Sequence, residues 1–269
     1  MSITKVSDQG TIYLLGSGYS INQLSPVERS VINAAQVRLA LNKFTAFHEQ
    51  SGIRPNYTYF IDYHNKHAKE FIQRTINTIK LTGLEKGMTL VLHKNVSGRL
   101  YRTKNLAYHL QALNPFNYIH FKRPRFILDY EVKVDFVKIG DFMKLSPWAD
   151  SFDEELFHYR SSLTSALNYI TLKFDPCKIV LVGVDLNKSA YFYQEEIEAT
   201  QVHDNNKFRA EEKKAGKHFT ALDYKGTSMI DNFHLVTASL SDRGFTLVSS
   251  NPNSLFAEQG ICPYEAIAT

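Results

Sequence analysis

The sequence is poor in cysteine, in metal-binding patterns and in long apolar runs. Two cysteines, Cys177 and Cys262, stand far apart among 269 residues. That excludes a disulfide framework and a Cys-rich metal motif, while a single bridge stays open. No stretch approaches the roughly 18 consecutive apolar residues of a membrane-spanning helix. Residues Met1 to Gln9 are polar and lack the apolar centre of a signal peptide, so a cytoplasmic protein is expected. Charge of one sign is also scarce. The net charge of +4 is too small to argue for nucleic acid, and it suits an anionic ligand or an acidic membrane surface. There is no Asp-x-Asp pair and no His, Cys and carboxylate set at metal-ligand spacing, so neither a metal nor a resident cofactor is expected. Internal repeats and low-complexity tracts are missing too.

What is present is apolar and aromatic. Apolar residues make up 43% and aromatic residues 13% of the chain, enough for a sizeable core in one large domain. The run Thr11-Ile-Tyr-Leu-Leu-Gly16 reads as a buried strand, followed by a tight turn over Gly16-Ser17-Gly18-Tyr19-Ser20. Ser25, Pro26 and Glu28 then give an N-cap, a proline at the first helical position and an acid in the first turn. Further strands are expected at 39–42, 57–62, 88–93, 118–121, 178–185 and 245–249. Helices are expected at 65–80, 100–113, 153–174 and 226–243. The stretch 122–153 reads as irregular, and the charged segment 202–217 as a mobile surface loop. Strands alternating with helices predict a single α/β domain over 1–269, Rossmann-like, with a mainly parallel sheet flanked by helices. Ligands of such sheets bind beyond the carboxyl ends of the strands. Ser17, Ser20, Asn42, Asp62, Asp185 and Asn251 all fall there.

Several of these residues have chemistry to offer. Gly16, Ser17 and Gly18 lie between a strand and a helix start, where backbone N–H groups can approach a phosphate, or the glycines simply make a turn. Position 21 is Ile, so this is neither a full dinucleotide fingerprint nor a P-loop. Asp185 ends the cleanest strand and faces a ligand crevice or caps a helix. His218 could serve as a base or as a cation beside a leaving phosphate, or sit on the surface like others of the ten histidines. Asp153-Glu154-Glu155 fits the acidic first turn of a helix.

The blocks Leu15-Gly-Ser-Gly-Tyr-Ser20, Leu41-Asn42-Lys-Phe44, Arg160-Ser-Ser162, Val182-Gly-Val-Asp185 and Asn251-Pro-Asn-Ser254-Leu, with Tyr191 and His218, resemble in order and spacing the small bacterial sialyltransferases of glycosyltransferase family 42. The resemblance implies a sialyltransferase-like fold. It also implies transfer of an acidic sugar from a CMP donor without metal, with His218 as general base. Gly16, Ser17, Gly18, Ser20, Asn42 and Gly183 would hold CMP, with Ser161, Ser162, Tyr191 and Ser254 as secondary contacts. Two tyrosines of that family are replaced here, by the Leu186-Asn187 pair and by Ala215. The Asp185 and His218 pair also resembles the retaining β-Kdo transferases of family 99. That second likeness implies Asp185 as nucleophile, His218 on the departing CMP, and an assisting acid for which Glu154 leads Glu155 and Glu131.

The expected activity is therefore transfer of a 2-keto-3-deoxy acid sugar, Kdo or sialic acid, from CMP to a glycan or lipid-linked glycan of the bacterial surface. Such acceptors imply contact with the inner-membrane face, for which Lys122-Arg-Pro-Arg125 and 207–217 offer basic patches. The alternative reading is a non-catalytic nucleotide- or glycan-binding module. An oxidoreductase fits less well, because the glycine loop is incomplete and no acid follows the second strand.

Overall fold

A computed structural model describes residues 3, 5–7, 10–62, 66–102, 126–199, 214–223 and 225–267. Eight strands form one sheet in the order β10-β9-β1-β2-β3-β4-β7-β8, and every neighbouring pair is parallel. The strands are β1 (Ile12–Leu15), β2 (Val37–Leu41), β3 (Tyr57–Phe60), β4 (Thr89–His93), β7 (Lys133–Ile139), β8 (Glu155–Leu156), β9 (Lys178–Val182) and β10 (Thr246–Ser249). A short parallel pair, β5 (Leu100–Arg102) and β6 (Phe126–Leu128), stands apart. Helices among the described residues include α1 (Pro26–Ala34), α2 (His48–Ser51), α3 (Lys66–Leu81), α4 (Ser162–Lys173), α5 (Gln194–Ala199), α6 (Phe233–Ser241) and α7 (Leu255–Glu258).

The sheet is covered on both faces, which is why its central strands are apolar throughout rather than alternating. Ile12 and Leu14 of β1 point into a core with Leu163, Leu167 and Ile170 of α4 and Phe233 and Val236 of α6. Tyr13 and Leu15 point the other way, into a core with Ile32 of α1 and Phe71, Ile72 and Ile76 of α3. This is the expected α/β, Rossmann-like class. The Ser25 and Glu28 capping box closes reciprocally and Pro26 takes the first helical position, as the sequence predicts.

Three local expectations are corrected. The irregular stretch 122–153 contains β6 and the seven-residue strand β7. Asp135, in the middle of β7, is buried and bonded to the Lys173 ammonium (3.0 Å) and the Tyr169 hydroxyl (2.7 Å) of α4. The single helix expected over 153–174 is instead β8 followed by α4. The break comes where Arg160 turns left-handed (φ +59°) and the Ser161 side chain caps the new helix by accepting from the Leu163 N–H. The helix expected at 100–113 opens as strand β5, and its remainder lies outside the described residues. So do the strand expected at 118–121, the basic patch 122–125 and most of the loop 202–217. Among the described residues, no helix is long and apolar enough to cross a membrane.

Candidate active site

Parallel strands put all their carboxyl ends on one rim, and the chain brings its singled-out residues there in one group. After β1 the backbone turns through Gly16, Ser17 and Gly18. After β9 it turns through Gly183, which is left-handed (φ +69°). The two turns lie backbone against backbone. The Gly16 N–H donates to the Val182 carbonyl and the Gly18 N–H to the Gly183 carbonyl, both at 2.7 Å. A Cβ on Gly16 would lie 2.4 Å from the Gly183 oxygen, and one on Gly183 would lie 2.7 Å from the Gly16 oxygen. Only glycine permits this approach.

That contact revises the phosphate-cradle reading of the loop. The N–H groups of Gly16 and Gly18 are spent on β9, and the Ser20 N–H is spent on Asp185 (2.8 Å). The glycines here build the junction of two strands.

Asp185 has a corresponding task. It is 2% exposed, and its carboxylate accepts from the Ser20 N–H and Ser20 Oγ on one side and from Asn251 Nδ2 (2.9 Å) on the other. Its backbone oxygen accepts from the Leu255 N–H at the start of α7. One residue thus ties together the chain ends of β1, β9 and β10. A nucleophile must be open to the substrate. Asp185 is buried and its carboxylate is held by three protein donors, so the expected nucleophile is placed as a clamp. Asn251, which strand-end position alone could have promoted to a site residue, is its third support.

Beside this clamp the rim carries polar groups from other elements. Asn42 ends β2 in a left-handed conformation (φ +48°) and donates through Nδ2 to Ser162 Oγ (2.7 Å) at the amino terminus of α4. Its Oδ1 is buried and has no partner among the described residues. The amide therefore retains acceptor capacity there. Tyr191 bridges to Gly18, and the next residue, Phe192, donates its N–H to the Ser17 carbonyl (3.1 Å). His218 is anchored through its own N–H to the Leu186 carbonyl (2.9 Å), one residue past Asp185. Its Nδ1 lies 2.9 Å from Thr220 Oγ1. The Tyr191 and His218 rings meet edge to face with centroids 6.2 Å apart.

Two expected residues do not join the rim. Ser254 is fully buried, caps α7 through the Ala257 N–H (3.2 Å) and pairs with Ser249 Oγ (2.8 Å). Its hydroxyl is consumed in the core. Glu154 is exposed in a turn, where it accepts from Ser151 Oγ and the Asp150 N–H. Glu154 directly precedes β8, which pairs with the end of β7 at the sheet edge remote from β9 and β10. Its described hydrogen bonds stay within that turn, and none joins it to Asp185 or His218. Ser161 stands at the rim as the cap of α4. Among the described residues, no group of three His, Cys, Asp or Glu is arranged to hold a metal ion.

No family profile matches the chain, and no curated protein matches it. Among solved structures it is similar to the MAf glycosyltransferase from Magnetospirillum magneticum AMB-1, with a TM-score of 0.43 and 14% identity. That match covers 93% of this chain and 33% of the other, so the chain spans about a third of that protein's length.

Proposed function

We propose that the chain is a glycosyltransferase that moves a 2-keto-3-deoxy acid sugar, Kdo or sialic acid, from its CMP donor to a glycan hydroxyl. The observation that carries the reading is the meeting of His218 and Tyr191, from separate segments, on the carboxyl rim beside β9. A CMP-linked sugar carries one phosphate. An imidazole, a phenol and a helix amino terminus can together stabilise one departing phosphate.

In the proposed reaction, the bond from the anomeric carbon to the phosphate oxygen breaks, and its electron pair leaves with CMP. The acceptor oxygen bonds to the anomeric carbon and its proton passes to solvent. His218, whose Nδ1 accepts from the Thr220 N–H, offers its other ring nitrogen as a donor to the departing phosphate. Ser162 and Asn42 hold the nucleotide beside α4, where Asn42 Oδ1 can accept from an amino or hydroxyl group. Asp185 keeps the β1, β9 and β10 turns in register and takes no part in bond making. The acceptor is a bacterial surface glycan, free or lipid-linked, and for the latter the chain works against the inner-membrane face.

The test is release of CMP from CMP-Kdo and CMP-sialic acid side by side, with and without EDTA. Release from one donor, unaffected by EDTA and reduced about 10²–10³-fold in His218→Ala, is the expected result. A second reading is favoured by the burial of Asp185 and the three protein donors on its carboxylate: a binding module without chemistry. CMP binding with no release from either donor would select it.

A further inference from the structure

Arg160 is the largest fully buried side chain among the described residues, and nothing in the proposed chemistry uses it. It immediately precedes the Ser161 cap of α4. Its backbone N–H donates to the Phe142 carbonyl (2.9 Å) in the segment after β7. Its Nη1 lies 3.8 Å from Met143 Sδ, and its Nη2 donates to the Leu222 carbonyl (3.2 Å). The guanidinium carbon stands 5.8 Å from the Phe142 ring centroid and 5.7 Å from that of Phe219. Those rings are themselves nearly parallel (10°) with centroids 6.1 Å apart, so the cation sits on the seam between them. Phe219 adjoins His218, and the turn Phe219–Ala221 is capped by the His218 side chain.

Three separate pieces of chain thus converge on one guanidinium: residues 142–143, the amino terminus of α4, and residues 219–222. Burying a cation is costly unless partners offset it. Arg160 Nε has no hydrogen-bond partner among the described residues, so the two rings and the Leu222 carbonyl carry much of that compensation. A planar guanidinium can use ring faces and carbonyls at once, and an ammonium cannot reproduce that fork. The left-handed backbone at Arg160 adds strain, tolerated where surrounding structure over-determines it.

We propose that Arg160 is a positioning residue that locks the His218 segment against the amino terminus of α4, setting the distance between His218 and the nucleotide-holding Ser162 and Asn42. The assignment of a catalytic consequence rests on the reading of His218 given above, and the clamp itself does not. In the free protein the segment 218–222 owes its order to this cation, while the sheet does not.

The test compares wild type with Arg160→Met and Arg160→Lys by hydrogen exchange and by steady-state kinetics with the CMP donor. Amides 220–222 should exchange about tenfold faster or more in both variants, with β9 amides unchanged. kcat should fall about a hundredfold with donor KM within about threefold, since a small misplacement of a catalytic group acts on the rate. Lysine should not rescue either readout. Unchanged exchange at 220–222, uniform loss of protection across the sheet, or full activity of Arg160→Lys would each overturn the proposal. If neither variant folds, Phe219→Leu removes one ring from the seam and should raise exchange at 220–222 alone. No change there would overturn the clamp. If wild type transfers no sugar, the His218 reading fails and the exchange arm still decides the clamp.

Discussion

Replacing Asp185 by Asn separates a clamp from a nucleophile. In the clamp, Oδ2 accepts from the Ser20 N–H, while Oδ1 accepts from Ser20 Oγ and Asn251 Nδ2. An asparagine can keep its oxygen on the Ser20 N–H. Its amino group then faces the Ser20 hydroxyl, which can turn to accept, and Asn251, which must flip its amide. The flip breaks the bond from the Asn253 N–H to Asn251 Oδ1 (3.0 Å). The variant therefore loses one neutral hydrogen bond and the charge assistance of the others, about 1–3 kcal/mol in all. Asp185→Ala leaves the Ser20 N–H and Asn251 Nδ2 without acceptors and should cost roughly 3–5 kcal/mol. Against a total stability of about 5–15 kcal/mol, both changes are measurable as shifts in the urea midpoint. Asn251→Ala, which removes its bond to Asp185 and the acceptor of the Asn253 N–H, should fall about 1–3 kcal/mol below wild type. The same three variants are assayed for CMP release, where loss should follow the order of destabilisation. An Asp185→Asn protein with an unshifted midpoint and no activity would refute the clamp and restore the carboxylate as the attacking group.

Three more outcomes are expected. Gly183→Ala places a Cβ 2.7 Å from both the Gly16 oxygen and an Ile21 carbon at positive φ, and should cost about 2–4 kcal/mol by denaturation. Gly87→Ala, also at positive φ but with nothing within 4 Å, should cost only about 1 kcal/mol, and equal losses would show that packing at Gly183 is irrelevant. Lys173→Met leaves the Asp135 carboxylate buried with Tyr169 alone and should cost about 3–5 kcal/mol, with a loss below about 1 kcal/mol sinking the idea. Burial holds the His48 imidazole below its ordinary value of 6.5, only partly offset by its bond to the Thr45 carbonyl. The unfolded chain thus binds a proton first, and this group's stabilisation is fully present above 6.5 and is lost as pH falls below it. His48→Gln should flatten that part of the profile, and an unchanged acid limb in denaturation curves would exclude His48 as its source.

The strands buried on both faces were the legible part of the fold. Ile12 to Leu15 and Lys178 to Val182 carry no polar residue facing either core, so apolar continuity alone identified them. Strand β7 was not legible. Its sequence holds Lys133, Asp135 and Lys138, and the partner that makes Asp135 tolerable, Lys173, sits on a helix 38 residues later. The helix over 153–174 was overdrawn because Leu156 and Phe157 extend the apolar spacing of α4 backward. The break depends on Arg160, whose backbone conformation has no pattern to announce it.

The same division holds at the rim. The strand-end rule gathered Ser20, Asn42 and Asp185 into one place, because parallel topology leaves them no other. It could not say which polar groups would face a ligand and which would face each other. Asp185 and Ser20 spend their hydrogen bonds internally, as Ser254 does with Ser249. Arg160 was named only within the Arg160-Ser-Ser162 block, because its role arises from two aromatic rings, Phe142 and Phe219, distant from each other in sequence.

The placement of β1 has a consequence for how the chain is made. β1 leaves the ribosome well before its partner β9, because the lock between Ser20 and Asp185 spans 165 residues. At about 5–20 residues per second, that interval is on the order of ten seconds or more. Until it ends, β2 covers one edge of β1 and the other is an apolar strand edge open to pairing. A nascent chain of this protein is therefore sticky along β1 until β9 has been synthesised. Any truncation before Lys178 should leave that edge permanently available to a second copy.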